Sequence, residues 1–401
     1  MTERPIVTLL VAGAFLVAAG CAGSTSRTPD DAAAPASTAA STAPATGVSS
    51  TAAPAATTAD TNPGTTRDFS VLGSTLRSLV DDNGLDGAGL VVVDRDEGIV
   101  HEEYVGGFDA DRVSLIASSS KMITAGVLLH LADEGLLDLD APVADAVEWG
   151  SAHPEITPAQ LLSNSSGLVG LIPNPAYRPY LCQLLPNREL EECGAEIFQT
   201  DGDDADVVAP DTEFRYGGAQ WQVAGAVAEA VSGTTWAELI DEIYVEPCGV
   251  ASLGYNNHWA GAGGFDYPAD FDPADLPPTE NPQMEGGAYI TPPDYAALLL
   301  MHLRGGMCDG GRVLSEASVA RAHADRVAEA YGENADRQPG YGLGWFVDRE
   351  TGIVSDGGAY GSLPWLDVDA GYGAYLVIEA SSGLGSSMYD ELAPLVEAIM
   401  T

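Results

Sequence analysis

Ser118 and Lys121 stand three residues apart in "SSSKMITAGVLLHLADEG", and a chain with fifteen arginines places its single lysine here. Residues three apart on a helix share a face. A serine at a helix N-terminus has free backbone N–H groups and the positive end of the helix dipole beside it, the setting that holds a developing oxyanion. A lysine one turn further can take the hydroxyl proton once burial or positive neighbours bring its pKa from about 10.4 towards about 7 to 8. Arginine has no such state. The pair reads as a Ser-x-x-Lys nucleophile and base for acyl transfer. The lysine's isolation argues against a solubilising or ion-pairing task, which this chain otherwise gives to arginine. Only Ser118, not Ser119 or Ser120, lies three before Lys121.

The elements that position the pair are legible around it. "DFSVLGSTLRSLVDDNG" has helical apolar spacing and stops at Gly84, and "GAGLVVVDRDEGIVHEEYVGGFD" reads as two strands turning at "DRDEG". The motif then opens an amphipathic helix ending at Gly135. Helical and loop segments follow, including "ITPAQLLSNSSGL", "QWQVAGAVAEAVSGTTWAELIDEIY" and "TPPDYAALLLMHLRGG". The last sixty or so residues return to strands in "GLGWFVD", "GIVSDGG", "SLPWLDVD" and "GAYLVIEA", and close with the helix "SMYDELAPLVEAIM". Strands at both ends predict an α+β fold: one mixed, mainly antiparallel sheet formed by both termini, flanked by helices, with a mostly helical region inserted in it.

Three regions are expected along the chain. Residues 1–20 carry Arg4, the apolar run "IVTLLVAGAFLVAA" and small residues before Cys21, which resembles a bacterial lipoprotein signal with Cys21 as the lipidated residue. Ala18 stands where such signals most often carry Leu, so ordinary secretory cleavage is the alternative; either exports the protein. Residues 21–66, rich in Ala, Thr, Ser and Pro, cannot bury enough surface to fold and read as a tether with a reach of roughly 40 Å. The folded domain is expected over 67–401. Four cysteines remain beyond Cys21, which in an exported chain suggests two disulfides, Cys182 with Cys193 and Cys248 with Cys308, against an alternative of buried thiols. Scattered histidines and no CxxC or HExxH motif predict no metal and no cofactor, and "DGDDADVVAPD" reads as a solvated acidic loop rather than a calcium loop. A formal net charge of −43 argues against nucleic acid and anionic membrane surfaces as partners and disfavours anionic substrates. Membrane attachment is expected through the lipid anchor alone, and the chain is expected to be a monomer.

With the motif in this context, the sequence resembles the serine β-lactamase and penicillin-binding-protein-like superfamily, especially its class C β-lactamase, DD-peptidase and esterase branch. "GLLDLDAPV", "ITPAQLLSNSSGL", "FRYGGAQWQVAGAVAEAVSG", "EGGAYITPPDYAALLLMHLRGG" and "YGLGWFV" look like the family's segments in the same order, over roughly residues 68 to 400. The resemblance implies a β-lactamase/transpeptidase-like fold, Ser118 as nucleophile and Lys121 as its base partner. The family's Tyr-x-Asn here reads Tyr216-Gly217-Gly218, so Tyr216 is implied to share the proton work while the asparagine is missing. The Lys-Thr-Gly or His-x-Gly motif aligns with Ser355, Asp356 and Gly357, which removes the cation that usually meets a substrate carboxylate. On the same alignment Gly358 supplies the second oxyanion N–H beside that of Ser118. Ser355, Asp356, Tyr360 and Trp365, with Trp221, are expected to line the substrate site. The missing cation and the acidic chain favour hydrolysis of a neutral ester, or of a small amide or lactone. The alternatives are a β-lactamase or DD-carboxypeptidase acting on cell-wall peptides and a catalytically impaired envelope-binding lipoprotein.

Overall fold

The structure is a computed structural model that describes residues 67–170, 178–200, 207–258, 266–268 and 271–401. The expected signal, Cys21 and tether lie outside the described residues, as does 201–206 of the acidic run. Helix Ser70–Asn83 forms because Leu72, Leu76 and Val80 recur at four-residue spacing and are buried on one face. Gly84 ends it in the left-handed conformation, with φ 62° and its N–H bonded to the Asp81 carbonyl. The hairpin follows as strands Gly87–Asp94 and Gly98–Gly106. Asp94 closes its turn, one carboxylate oxygen accepting from the amides of Asp96 and Glu97 at 2.9 and 3.1 Å.

Leu90, Val91, Val92 and Val93 are all buried, because the first strand is central and covered on both faces. It pairs on one side with its hairpin partner and on the other with Tyr372–Val377 from the end of the chain, Val92 opposite Ala374. Leu363–Asp367, Val354–Ser355 and Phe346–Val347 continue outward, giving a six-stranded antiparallel sheet joined from both ends of the domain. One face packs against the first helix and the last, Ser382–Met400, through Leu72, Leu76, Met388 and Leu392. The other face meets helix Pro292–Leu303 and the inserted helical region. Arg67–Thr401 forms one compact unit.

The inserted region holds the motif's helix at its centre. Lys121–Asp133 is buried from Lys121 through Leu129, so it is a core helix and not the amphipathic one expected from its sequence. Its partner Gly218–Ser232 is buried from Gly218 to Ala228. Helix Pro158–Leu162 starts in a capping box, Thr157 accepting from the Gln160 amide while the Gln160 side chain accepts from the Thr157 amide. Disulfides join Cys182 with Cys193 and Cys248 with Cys308. A small sheet of Ser114–Leu115, Ala288–Ile290 and Gly254–Tyr255 feeds directly into the residues around Ser118. No helix among the described residues is long and apolar enough to cross a membrane.

Candidate active site

Ser118 lies in a 3-10 turn, Ala117–Ser120, that leads into the central helix, and Lys121 is the first residue of that helix. Ala117 has φ 47°, a left-handed conformation that costs a non-glycine residue about 1–2 kcal/mol and marks strain immediately before the serine. The three serines of the motif do different work. Ser120 donates to the Ala117 carbonyl at 2.6 Å and accepts from the Ala288 amide, tying the turn to the small sheet. Ser119 donates to the Asp356 carbonyl at 2.6 Å and meets the Ser362 hydroxyl at 2.8 Å, tying it to the turn after strand Val354–Ser355. Ser118 is left facing Lys121, whose Nζ donates to its Oγ at 3.0 Å.

Lys121 is completely buried, and each group around its ammonium has a stated place. Nζ also donates to the Glu285 carbonyl at 2.9 Å, with Glu285 Oε2 at 3.8 Å. It sits 4.6 Å from the Tyr216 ring centre and 5.8 Å from that of Trp221. The Tyr216 phenol interacts with the side chains of both Lys121 and Ser118, so serine, lysine and tyrosine stand together as one group. Burial pulls the Lys121 pKa down, but Tyr216, Glu285 and Asp356 outweigh it and hold it above the ordinary lysine value. Burial raises the Tyr216 phenol, with the Lys121 charge pulling the other way. The lysine is therefore set as an ammonium at neutral pH, the opposite of the lowered pKa that a lone lysine base needs.

The third expected motif reaches the same place with a different charge. Asp356 is fully buried at the end of strand Val354–Ser355 and neither carboxylate oxygen makes a hydrogen bond of good geometry. Burial holds its carboxyl well above the usual range, with the Lys121 charge and the Met122 amide opposing too weakly to reverse this. Ser355 is in the sheet, paired with Trp365 and Phe346. Gly358 is not an oxyanion donor: its N–H donates to the Ser362 carbonyl at 2.7 Å, closing a turn packed against Ile116. The amides of Ser118 and Ala359, like that of Gly357, donate no hydrogen bond to the described residues. Trp365 also departs from expectation, since it packs on Tyr389 under the last helix, across the sheet from Ser118. Its alternation along the strand puts Trp365 on the far face.

An aromatic wall does adjoin the nucleophile. Tyr360 clusters with Leu115 and Ala117, beside Tyr267, Phe271, Tyr289 and Ala359. Trp221 lies buried beneath Lys121, its Nε1 donating to Asn164 Oδ1 at 3.1 Å, so it is a support under the site. Glu285 was not visible as a site residue in the sequence: it lies over 160 positions from Lys121, as the hydrogen bond between them spans. Only its place just before a strand that pairs beside the motif exposes it.

A Ser–Lys–Tyr group whose lysine is buried and whose serine and tyrosine are half-exposed, set between an antiparallel sheet and a helical region, fits the β-lactamase-related class of serine hydrolases. The β-lactamase family model matches residues 72–395, and the chain belongs to that family. Penicillin-binding protein 4 of Amycolatopsis lactamdurans is 27% identical over 316 residues, covering 74% of this chain and 79% of that protein. A candidate β-lactamase from Bacteroides dorei has the same fold, with 27% identity and a TM-score of 0.64 over 82% of this chain and 99% of that one. A family VIII carboxylesterase shares the fold at 19% identity, with a TM-score of 0.62 over 80% of this chain and 97% of that one.

Proposed function

We propose that this protein hydrolyses esters lacking a carboxylate near the scissile bond, or small amides or lactones, through an acyl-enzyme on Ser118. The observation that carries the reading is the Lys121 Nζ contact with Ser118 Oγ at 3.0 Å, with the Tyr216 ring centre 4.6 Å from the same ammonium. Once the Tyr216–Lys121 pair has released one proton to solvent, Ser118 Oγ bonds to the acyl carbon, its proton passes to that pair, and the carbonyl electron pair moves to oxygen. The amides of Ser118 and Ala359 are the donors for that oxyanion, Gly358 being committed to its turn. The pair then returns the proton to the leaving oxygen or nitrogen, and water attacks the acyl-enzyme by the same route.

The substrate's charge follows from Asp356. Where a cation would meet a carboxylate the chain has a buried acid, so no ion pair favours anionic substrates there. A second reading, a β-lactamase or DD-peptidase, is favoured by the similarity to a penicillin-binding protein. Export as a lipoprotein through Cys21, or as a secreted protein, belongs to the same proposal, and the two disulfides support an oxidising compartment. Turnover of a short-chain nitrophenyl ester and of a chromogenic cephalosporin, by the protein and by Ser118→Ala, decides between the readings. Ester turnover lost by at least about a thousandfold in the variant, with the cephalosporin spared, is the expected result. Cephalosporin turnover selects the second reading, and no Ser118-dependent turnover of either sinks both.

A further inference from the structure

Position 218, two residues after Tyr216, opens helix Gly218–Ser232 with no side chain. A Cβ placed there would lie 2.0 Å from Glu285 Oε1 and 2.5 Å from Gln183 Oε1, so the space beside the Ser–Lys–Tyr group is already filled by a carboxylate from another part of the chain. Glu285 meets Lys121 twice, by its carbonyl at 2.9 Å and its Oε2 at 3.8 Å. The titratable groups facing Lys121 are Tyr216 from the segment before that helix, Glu285 from before strand Ala288–Ile290, and Asp356 from after strand Val354–Ser355. Asp356 is sealed at 0% exposure and its carboxylate makes no hydrogen bond of good geometry. Glu285 keeps 19% of its side chain exposed beside the ammonium; burial raises its carboxyl above the ordinary value, and the Lys121 charge pulls it back toward the ionised form.

We propose that Glu285 is the positioning residue of Lys121: standing where position 218 has no side chain, it holds the ammonium against Ser118 and sets the pH above which the Ser118–Lys121–Tyr216 group can attack an acyl carbon. This rests on the serine-hydrolase reading above. A carboxylate beside Lys121 stabilises its charged form, so the Lys121–Tyr216 pair releases the proton that blocks it only at higher pH. Neutralising Glu285 removes that hold, and the acid limb of the rate moves down.

The test follows the rate at which a fluorophosphonate labels Ser118 from about pH 5 to 10, read by mass spectrometry, beside kcat/KM for a nitrophenyl ester. In labelling, Ser118 Oγ bonds to phosphorus, fluoride leaves, and the serine proton goes to the Lys121–Tyr216 pair. Glu285→Gln is expected to move the acid limb of both curves down by about one to two pH units. Gly218→Ala is expected to lower the melting temperature and both rates, because its Cβ meets Glu285. Gly218→Ala with Glu285→Gly is expected to recover part of the melting temperature, Gln183 Oε1 still standing 2.5 Å from the Cβ, while keeping the lowered limb. A rate that falls with its limb unmoved in Glu285→Gln, or a double variant no more stable than Gly218→Ala, overturns the proposal. Labelling that shifts with pH as stated, without ester turnover, overturns the hydrolase reading and leaves Glu285 in its role; ester turnover with a fixed limb does the reverse.

Discussion

At the scale of single residues, Lys121 shows why a residue type, and not only a charge, is required. Its Nζ reaches Ser118 Oγ, the Tyr216 phenol and the Glu285 carbonyl from a fully buried stem. Arginine would keep the positive charge but cannot release a proton, and its larger planar head would have to fit where Lys121 is fully buried. Lys121→Arg is therefore expected to lower ester kcat/KM by about a thousandfold or more, with Ser118→Ala no worse; activity within tenfold of the parent would show that Lys121 serves only as a charge. Tyr216→Phe keeps the ring beside Lys121 and removes the shared hydroxyl, and is expected to cost about a hundredfold to ten-thousandfold in kcat at unchanged KM. Ser118 and Lys121 were legible in the sequence because their spacing is local. Tyr216 was legible through the resemblance alone. Gly358 was misassigned because a "DGGAYG" turn has several amides and only the fold shows which one closes it on Ser362. Trp365 was misassigned because alternation along a strand does not say which face meets the site.

Elements were read with more success, and the departures have one cause. The first and last helices of the domain follow their apolar spacing, because each has one solvent side. The central helix and Gly218–Ser232 are covered all round, so tertiary burial overrides any amphipathic pattern. This burial leaves a testable mark where helices Pro292–Leu303 and Glu316–His323 meet. His302 and His323 lie with ring centres 5.0 Å apart, each 5.3 Å from Trp345, and His302 has neither nitrogen hydrogen-bonded. Burial holds His302 well below the ordinary histidine value and takes His323 to about 4. The unfolded chain, with histidines near pH 6.5, thus binds more protons than the folded one as pH falls from there towards about 4, and stability drops over that window. Glu229 acts in the opposite sense: burial raises it to about 7, against the Trp236 amide, so its folding cost is relieved as pH falls below that value. Replacing both histidines by leucine isolates their share. The variant is expected to lose up to about 3 kcal/mol per pH unit less than the parent in the acid window; denaturant melts with the same acid slope would sink the account.

For the whole molecule the governing quantity is a formal net charge of −43, carried by 59 acidic residues against 16 basic ones. Most of that charge is on the surface, where it repels itself and every anion that approaches. Its range is the Debye length, about 30 Å at 0.01 M salt and about 3 Å at 1 M. Two substrate preferences are therefore superimposed: a long-range field that salt removes, and the buried Asp356 with its absent cation, which salt does not reach. Comparing kcat/KM for a neutral nitrophenyl butyrate and an anionic nitrophenyl succinate separates them. Preference for the neutral ester is expected to be largest at about 0.01 M salt, to fall several-fold by about 1 M, and to level off at a residual preference. Introducing a cation by Asp356→Lys is expected to leave the salt-dependent part unchanged and to act only on that residue. If preference vanishes at high salt, the local site does not discriminate charge; if salt changes nothing, the surface field does not extend to Ser118.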